Sequence, residues 1–273
     1  MIRIVTDSSS DLSPTVAAEH HIEVVPLTIR FGEEEFVDRR DLSAADFWER
    51  LATAPELPTT AAPSIGAFQQ AFESLAAEGA EGVVAISISE GLSATYRSAV
   101  LAAQDAPIPV RVIDSGTASI PLGLTAVAAA DAARLGADVE DVANAVAGAQ
   151  ADLLATLDTL DTLKRGGRIG AAEAFFGGLL NVKPLITFRD GSVAAAGRVR
   201  TRRKALEALL DWLSARENVT RLGIVHGNAP DIDDFVALVA ERATDVPTLV
   251  QLAGPVIGTH AGAGFVGLAV THT

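Results

Sequence analysis

The sequence contains no cysteine. Disulfides, thiolate catalysis and cysteine-ligated zinc are therefore excluded. Aromatic residues make up only 5% of the chain, too few for a stacking platform that binds single-stranded nucleic acid. Basic residues are outnumbered, 21 Lys and Arg against 35 Asp and Glu, giving a formal net charge of −14. That balance argues against broad binding to nucleic acid or anionic membranes. No apolar run approaches the roughly 18 residues of a membrane helix, so a protein integral to the membrane is not expected. Met1-Ile-Arg-Ile-Val-Thr-Asp7 enters a strand directly, without a signal-peptide pattern. Cytoplasmic localisation is the resulting expectation. Also missing are a GxxxxGK[ST] phosphate loop, a GxGxxG opening a helix, a GxSxG elbow and HExxH.

What is present is a globular composition, 49% hydrophobic over 273 residues, enough for one or two domains with a sizeable core. Ile2 to Val5, Gly82 to Ile88 and Val110 to Ile113 read as buried strands. Each ends in a Ser/Thr-rich turn followed by a helix. The turns are Thr6-Asp-Ser-Ser-Ser-Asp11, Ser87-Ile-Ser-Glu-Gly-Leu-Ser93 and Asp114-Ser-Gly-Thr117. Such repetition predicts a parallel sheet with hydroxyls along one edge. Ordinary helix capping accounts for part of this pattern. Val24 to Ile29 reads as one further strand, placed at an edge by Pro26, and Phe31 to Asp41 as a charged hairpin around Gly32. Ser43, Ser64 and Thr201 read as helix caps. Pro55 to Pro63 is a connector carrying Thr59 and Thr60, and Ala-rich Leu122 to Leu135 is a helix. After about residue 150 the pattern becomes that of a mixed sheet, with a hairpin signal at Asp190-Gly191 and a small-residue helix over Ala171 to Leu180. The expected organisation is α/β, with a parallel-sheet domain over residues 1–150 and a mixed-sheet domain over 151–273.

Chemistry is most concentrated where Ile88 gives way to the helix from Leu92. Ser93 and Thr95 fall on its predicted first turn, where free N–H groups and the positive helix end suit a carboxylate or a phosphate. Thr60 is placed to add a donor. His260, in a predicted loop with Gly258, Gly262 and Gly264, is the best histidine candidate, and His226 the second. Lys164-Arg-Gly-Gly-Arg168 is a basic patch that suits an acidic partner or a helix C-terminus equally well. Asp7, Asp11 and Asp114 suit either structural caps or a magnesium site. Three functional readings follow: an anion-binding carrier, a magnesium-dependent phosphotransferase or phosphatase using Asp7 and Asp114, and a binding module for a phosphorylated metabolite.

Five stretches together resemble the DegV family: Thr6 to Leu12, Ser87 to Ala99, Leu157 to Ile169, Leu180-Asn-Val-Lys-Pro-Leu-Ile186 and Gly258-Thr-His260. They run in order from the first strand to the last loop, so the resemblance spans essentially the whole chain. It implies a two-domain α/β protein with a long-chain fatty acid between the domains, no catalytic residues, and no cofactor or metal of its own. It further implies that the chain presents the carboxylate to a separate ATP-dependent fatty acid kinase. The acyl phosphate would then pass toward phospholipid synthesis, with an acyltransferase as a further partner. By resemblance Thr60, Ser93 and His260 hold the carboxylate, with Ala94, Thr95 and Thr259 as secondary candidates. Arg168 engages the kinase or the transferred phosphate. The chain departs from the family pattern at Ala94, where glycine is usual, at Ala61-Ala62 in place of Ser-Gln, and at Ala263 in place of proline.

Overall fold

The computed structural model describes residues 1–148, 151–176 and 182–272. The chain opens with β1 (Ile2–Asp7), α1 (Pro14–Glu19), β2 (Ile22–Val25), β3 (Thr28–Phe31) and β4 (Glu34–Val37). Next come α2 (Ala44–Thr53), β5 (Thr59–Ala61), α3 (Ile65–Ala77), β6 (Gly82–Ser87), α4 (Thr95–Ala103) and β7 (Val110–Asp114). Two helices follow, α5 (Ile120–Arg134) and α6 (Val139–Gly148). The second half runs β8 (Asp152–Thr156), α7 (Asp161–Arg165), α8 (Ala172–Phe176), β9 (Lys183–Arg189) and β10 (Ser192–Val199). It closes with α9 (Arg202–Ser214), β11 (Val219–His226), α10 (Ile232–Ala240), β12 (Thr248–Leu252), α11 (Pro255–Ala261) and β13 (Val266–His272).

The strands form the two expected sheets and a third, smaller one. The first sheet is parallel, in the order β2-β1-β6-β7. Every residue of β6 is buried, as a parallel strand covered on both faces should be. The second sheet is mixed, ordered β10-β9-β8-β13-β11-β12, with β11 and β12 parallel and the other neighbours antiparallel. Its β9–β10 hairpin turns at Asp190-Gly191, both at positive φ. Ser43, Ser64 and Thr201 cap α2, α3 and α9 through their side chains.

The third sheet, β4-β3-β5, departs from the sequence reading. The single strand predicted over Val24 to Ile29 divides at Pro26, which has no N–H to give a ladder. Its first part stays at the edge of the parallel sheet, and its second part starts the small sheet. The Pro55 to Pro63 connector likewise contains a strand, β5, which pairs antiparallel with β3 and sets Thr60 opposite Ile29.

Helix α5 joins the two large sheets. Eleven of its fifteen residues are buried, and its first eleven positions carry no charged residue, as befits a helix packed between two sheets, while Arg134 at its end is exposed. Leu122, Ala126 and Ala129 pack with Ile4, Val84 and Ile86 of the parallel sheet. Ile120 and Leu124 pack with Val225 and Ala269 of the mixed sheet. The contact with β11 needs Gly223, where a Cβ would run into the Ile120 side chain. No helix among the described residues is long and apolar enough to cross a membrane. Residues 149 and 150, where the sequence places a domain boundary, lie outside the described residues. So do 177–181, the later part of the helix expected over Ala171 to Leu180, together with Leu180 and Asn181 of the fourth motif.

Candidate functional site

A cavity of about 190 Å³ lies where elements of both halves meet. Its wall is mostly apolar. Leu92 and Ala118 come from the parallel-sheet side, and Ala155, Ile186, Phe188 and Val193 from the mixed sheet. The polar residues on the wall are Thr60, Ser93, Ser119, Arg168 and His260.

Helix α11 brings His260 to this wall. The sequence reading placed His260 in a loop because glycines flank it, but Gly254-Pro255 starts a helix, with proline at its first turn. Gly258 reflects close packing, since a Cβ there would overlap Phe47 and press on Trp48. The His260 ring packs against Gly166, where a Cβ would likewise overlap it. Its Nε2 lies 2.9 Å from Thr60 Oγ1. Its Nδ1 is buried and has no hydrogen-bond partner among the described residues. Burial lowers the His260 pKa to about 4, and the Arg168 charge pushes in the same direction. The imidazole is therefore neutral at pH 7.

Arg168 follows the Gly166-Gly167 turn after α7. Its Nε donates to Leu92 O at 3.1 Å and its Nη1 to Gly166 O at 2.7 Å. It thus ties the second half of the chain to the segment just before Ser93. Among the described residues no carboxylate pairs with it. Lys164, in the same basic patch, pairs instead with Glu173 at 3.0 Å.

Ser93 sits before α4 and not on its first turn, because the helix starts at Thr95 with Ala94 at the N-cap position. Ser93 Oγ lies 2.8 Å from Thr95 Oγ1 and accepts the Thr95 N–H at 3.3 Å. The Leu92 and Ser93 N–H groups both donate to Ser89 O, at 2.9 and 3.1 Å. The Ala94 N–H has no acceptor among the described residues. Ala94 therefore offers a free amide beside Ser93, within the stretch where the sequence places the free N–H groups.

Of the seven residues singled out from sequence, Thr60, Ser93, Ala94, Arg168 and His260 line the cavity. Thr95 is buried behind Ser93. Thr259 is also buried, and its hydroxyl donates to Pro255 O at 2.8 Å within its own helix. Sequence reasoning missed Ser119 and Phe188. Ser119 lies between a strand and an Ala-rich helix with no periodic signal to mark it. Phe188 was read only as part of a strand.

The hydroxyl-rich strand ends mostly serve the fold. Asp7 is wholly buried and accepts from Ser9 N at 3.0 Å, Ile88 N at 2.8 Å, Ser87 Oγ at 3.3 Å and the Ser9 hydroxyl. It pins β1 to the end of β6, and burial raises its pKa. Asp114 accepts from Glu90 N and Gly116 N at 3.3 and 2.9 Å. Both carboxylates thus act as the caps that the sequence allowed. Among the described residues no group of three or more His, Asp or Glu side chains is placed to hold a metal ion. Asp11 accepts from Ser119 Oγ at 2.5 Å and from Gly254 N at 2.8 Å, joining the starts of α5 and α11. Burial raises its pKa to about 7. His226 is half-buried at the end of β11, away from the cavity wall, with its pKa lowered by burial.

The match to known proteins runs from end to end. Residues 1–273 fit the model of a family described as "Uncharacterised protein, DegV family". A DegV domain-containing protein of Streptomyces coelicolor is 37% identical over 99% of this chain and 98% of its own length. Among solved structures, DegV of Bacillus subtilis, described as a fatty acid binding protein, aligns with a TM-score of 0.90 at 30% identity. That alignment covers 100% of this chain and 99% of the other. A DegV family protein of Thermus thermophilus, described by its fatty acid binding, aligns with a TM-score of 0.86 at 33% identity, over 100% and 99% of the two chains. A stearic-acid-binding protein of Eubacterium ventriosum gives 0.90 at 27% identity, over 100% and 98%. On this whole-length match in sequence and fold, the chain belongs to the DegV family.

Proposed function

We propose that the chain is a carrier for a long-chain fatty acid, with the acyl tail in the apolar cavity and the carboxylate against Thr60, Ser93, Ala94 and His260. The observation that carries this reading is an apolar cavity wall on which the polar groups adjoin one another. Thr60 touches His260, and Arg168 both acts on His260 and holds the Leu92 carbonyl beside Ser93. A cleft built for a phosphorylated metabolite would have a polar wall instead. Each methylene buried contributes about 0.8 kcal/mol, so the tail supplies most of the affinity and the polar groups orient the head.

The carboxylate is presented to a separate ATP-dependent fatty acid kinase. One carboxylate oxygen attacks the γ-phosphorus of ATP held by that kinase, ADP leaves, and an acyl phosphate remains on this chain. This chain contributes positioning. Hydrogen bonds from Thr60, Ser93 and the Ala94 N–H fix the attacking oxygen, and a neutral His260 leaves it more nucleophilic than an imidazolium would. Arg168 is the cation at hand for the kinase or for the phosphoryl group once transferred. The acyl phosphate then goes to an acyltransferase of phospholipid synthesis. In this reading the chain works in the cytoplasm and is not itself an enzyme.

The test is reconstitution. A fatty acid kinase, ATP and a labelled long-chain acid should yield acyl phosphate only when this chain is added. Ser93→Ala and His260→Ala should fold but lose the product, and Arg168→Ala should bind the acid and fail in transfer. Equal product with and without the chain would overturn the reading.

A further inference from the structure

Ser89 has all its polar groups engaged, and they reach in three directions. It is fully buried. Its N–H donates to Thr117 O at 2.8 Å, holding it to the turn after β7. Its carbonyl accepts both the Leu92 and the Ser93 N–H. Its hydroxyl accepts the Gly91 N–H at 3.1 Å and donates to Gly191 O at 2.6 Å, at the tip of the β9–β10 hairpin, 102 positions away. Two glycines make room for this last contact. At Gly191 (φ 71°) a Cβ would lie 2.7 Å from Ser89 Oγ, and at Gly91 a Cβ would lie 2.7 Å from Gly191 O.

The placement links the two sides of the cavity. The hairpin that ends in Gly191 carries Phe188 and Val193, which line the apolar wall. The loop gathered by Ser89 carries Ser93 and Ala94, on the polar part of that wall. With the Leu92 and Ser93 amides taken by Ser89 O, the Ala94 N–H is the one that the turn leaves free. From these contacts we infer that Ser89 is a positioning residue, coupling the hairpin that packs on the acyl tail to the loop that holds the carboxylate. The inference rests on the fatty-acid reading above. Ser89 touches no ligand; it acts through the Gly91 to Ala94 turn.

The test reads the carboxylate itself. The delipidated chain is loaded with palmitate labelled with carbon-13 at the carboxyl carbon, and the bound resonance is followed against pH. Loss of aligned donors raises the pKa of a bound carboxyl group. Ser89→Ala leaves the Gly191 carbonyl and the Gly91 N–H unpaired and should lower the melting temperature by a few degrees, but it should retain the acid, with the carboxyl resonance moved and its apparent pKa raised by about one unit. Gly191→Ala, which drives a methyl against the same hydroxyl, should move the resonance in the same direction. In the double variant that part of the Gly191→Ala effect should disappear, because the methyl then meets no hydroxyl. A wild-type resonance and pKa in both single variants would overturn the inference while leaving fatty-acid binding intact. So would a Ser89→Ala chain that loses acid and thermal stability together, since that is general loss of structure. Failure of the wild-type chain to take up the acid would overturn the binding reading and this one with it.

Discussion

Thr60 Oγ1 and His260 Nε2 lie 2.9 Å apart across 200 positions of sequence. The strand β5 brings one of them and the helix α11 the other, and neither element was predicted from sequence. Thr60→Val keeps the shape and removes the hydroxyl. A hydrogen bond to a charged group contributes about 1.5–3 kcal/mol, so affinity for a long-chain acid should fall at least about tenfold with the fold unchanged. Displacement of a fluorescent acid measures this. Wild-type affinity in Thr60→Val would remove Thr60 from the head-group site.

His260 should titrate far below its ordinary value of 6.5 in the empty chain, at about 4. Between those values the unfolded state binds the extra proton, so this group's contribution makes stability rise with pH over that window, by up to about 3 kcal/mol. A carboxylate beside the ring favours the imidazolium, so loading with fatty acid should move the ring titration upward. Proton NMR of the imidazole, empty and loaded, checks both points. A ring that titrates near 6.5 in the empty chain, or that does not respond to the acid, would contradict this account.

The opposite slope belongs to Asp38. Its side chain is almost fully buried, and burial raises its pKa from 3.8 to about 6 against the opposing pull of Ser8 and Arg39. The folded state therefore holds the extra proton between those values, and this group's contribution to stability falls as pH rises through them, by about 3 kcal/mol. Asp38→Asn should abolish that fall, so its stability relative to wild type should improve steadily from pH 4 to pH 6. Denaturant unfolding at a series of pH values would show it. Parallel curves for the two proteins would contradict the assignment.

Much of the fold was legible in the sequence, and for identifiable reasons. Apolar runs ending in Ser/Thr turns marked the parallel strands, Asp190-Gly191 marked a hairpin, and Ser43, Ser64 and Thr201 marked helix starts, because caps and turns are local chemistry. Distance-dependent features were not legible. Gly258 looked like a loop residue, although it is there to let Phe47 and Trp48 approach α11. The Thr59–Ala61 strand exists because β3 is beside it, and Pro26 ends a strand that periodicity alone would continue. The serines at the strand ends read as a row of hydroxyls along one sheet edge, and most of them bond Asp7, Asp11 and neighbouring backbone. Thr60, Ser93, Thr95, His260 and the patch with Arg168 stood out by their local chemistry, the family resemblance gave them roles and added Ala94 and Thr259, and five of the seven line a single cavity.

Gly258→Ala tests how α11 is held. A methyl there meets two aromatic rings that are themselves buried, and overpacking of this kind costs about 1–3 kcal/mol. The unfolding midpoint should fall accordingly. Because the strain moves the helix that carries His260, acid binding should weaken as well. Wild-type stability in this variant would contradict the packing described for α11.

An apolar cavity that holds a long-chain fatty acid should release that acid when the chain is denatured. The most direct measurement is mass spectrometry of the lipid extracted from the purified, denatured protein, quantified against chain concentration. A long-chain fatty acid is expected at a stoichiometry near one per chain. Protein recovered empty, and with no affinity for any long-chain acid offered afterwards, would contradict it.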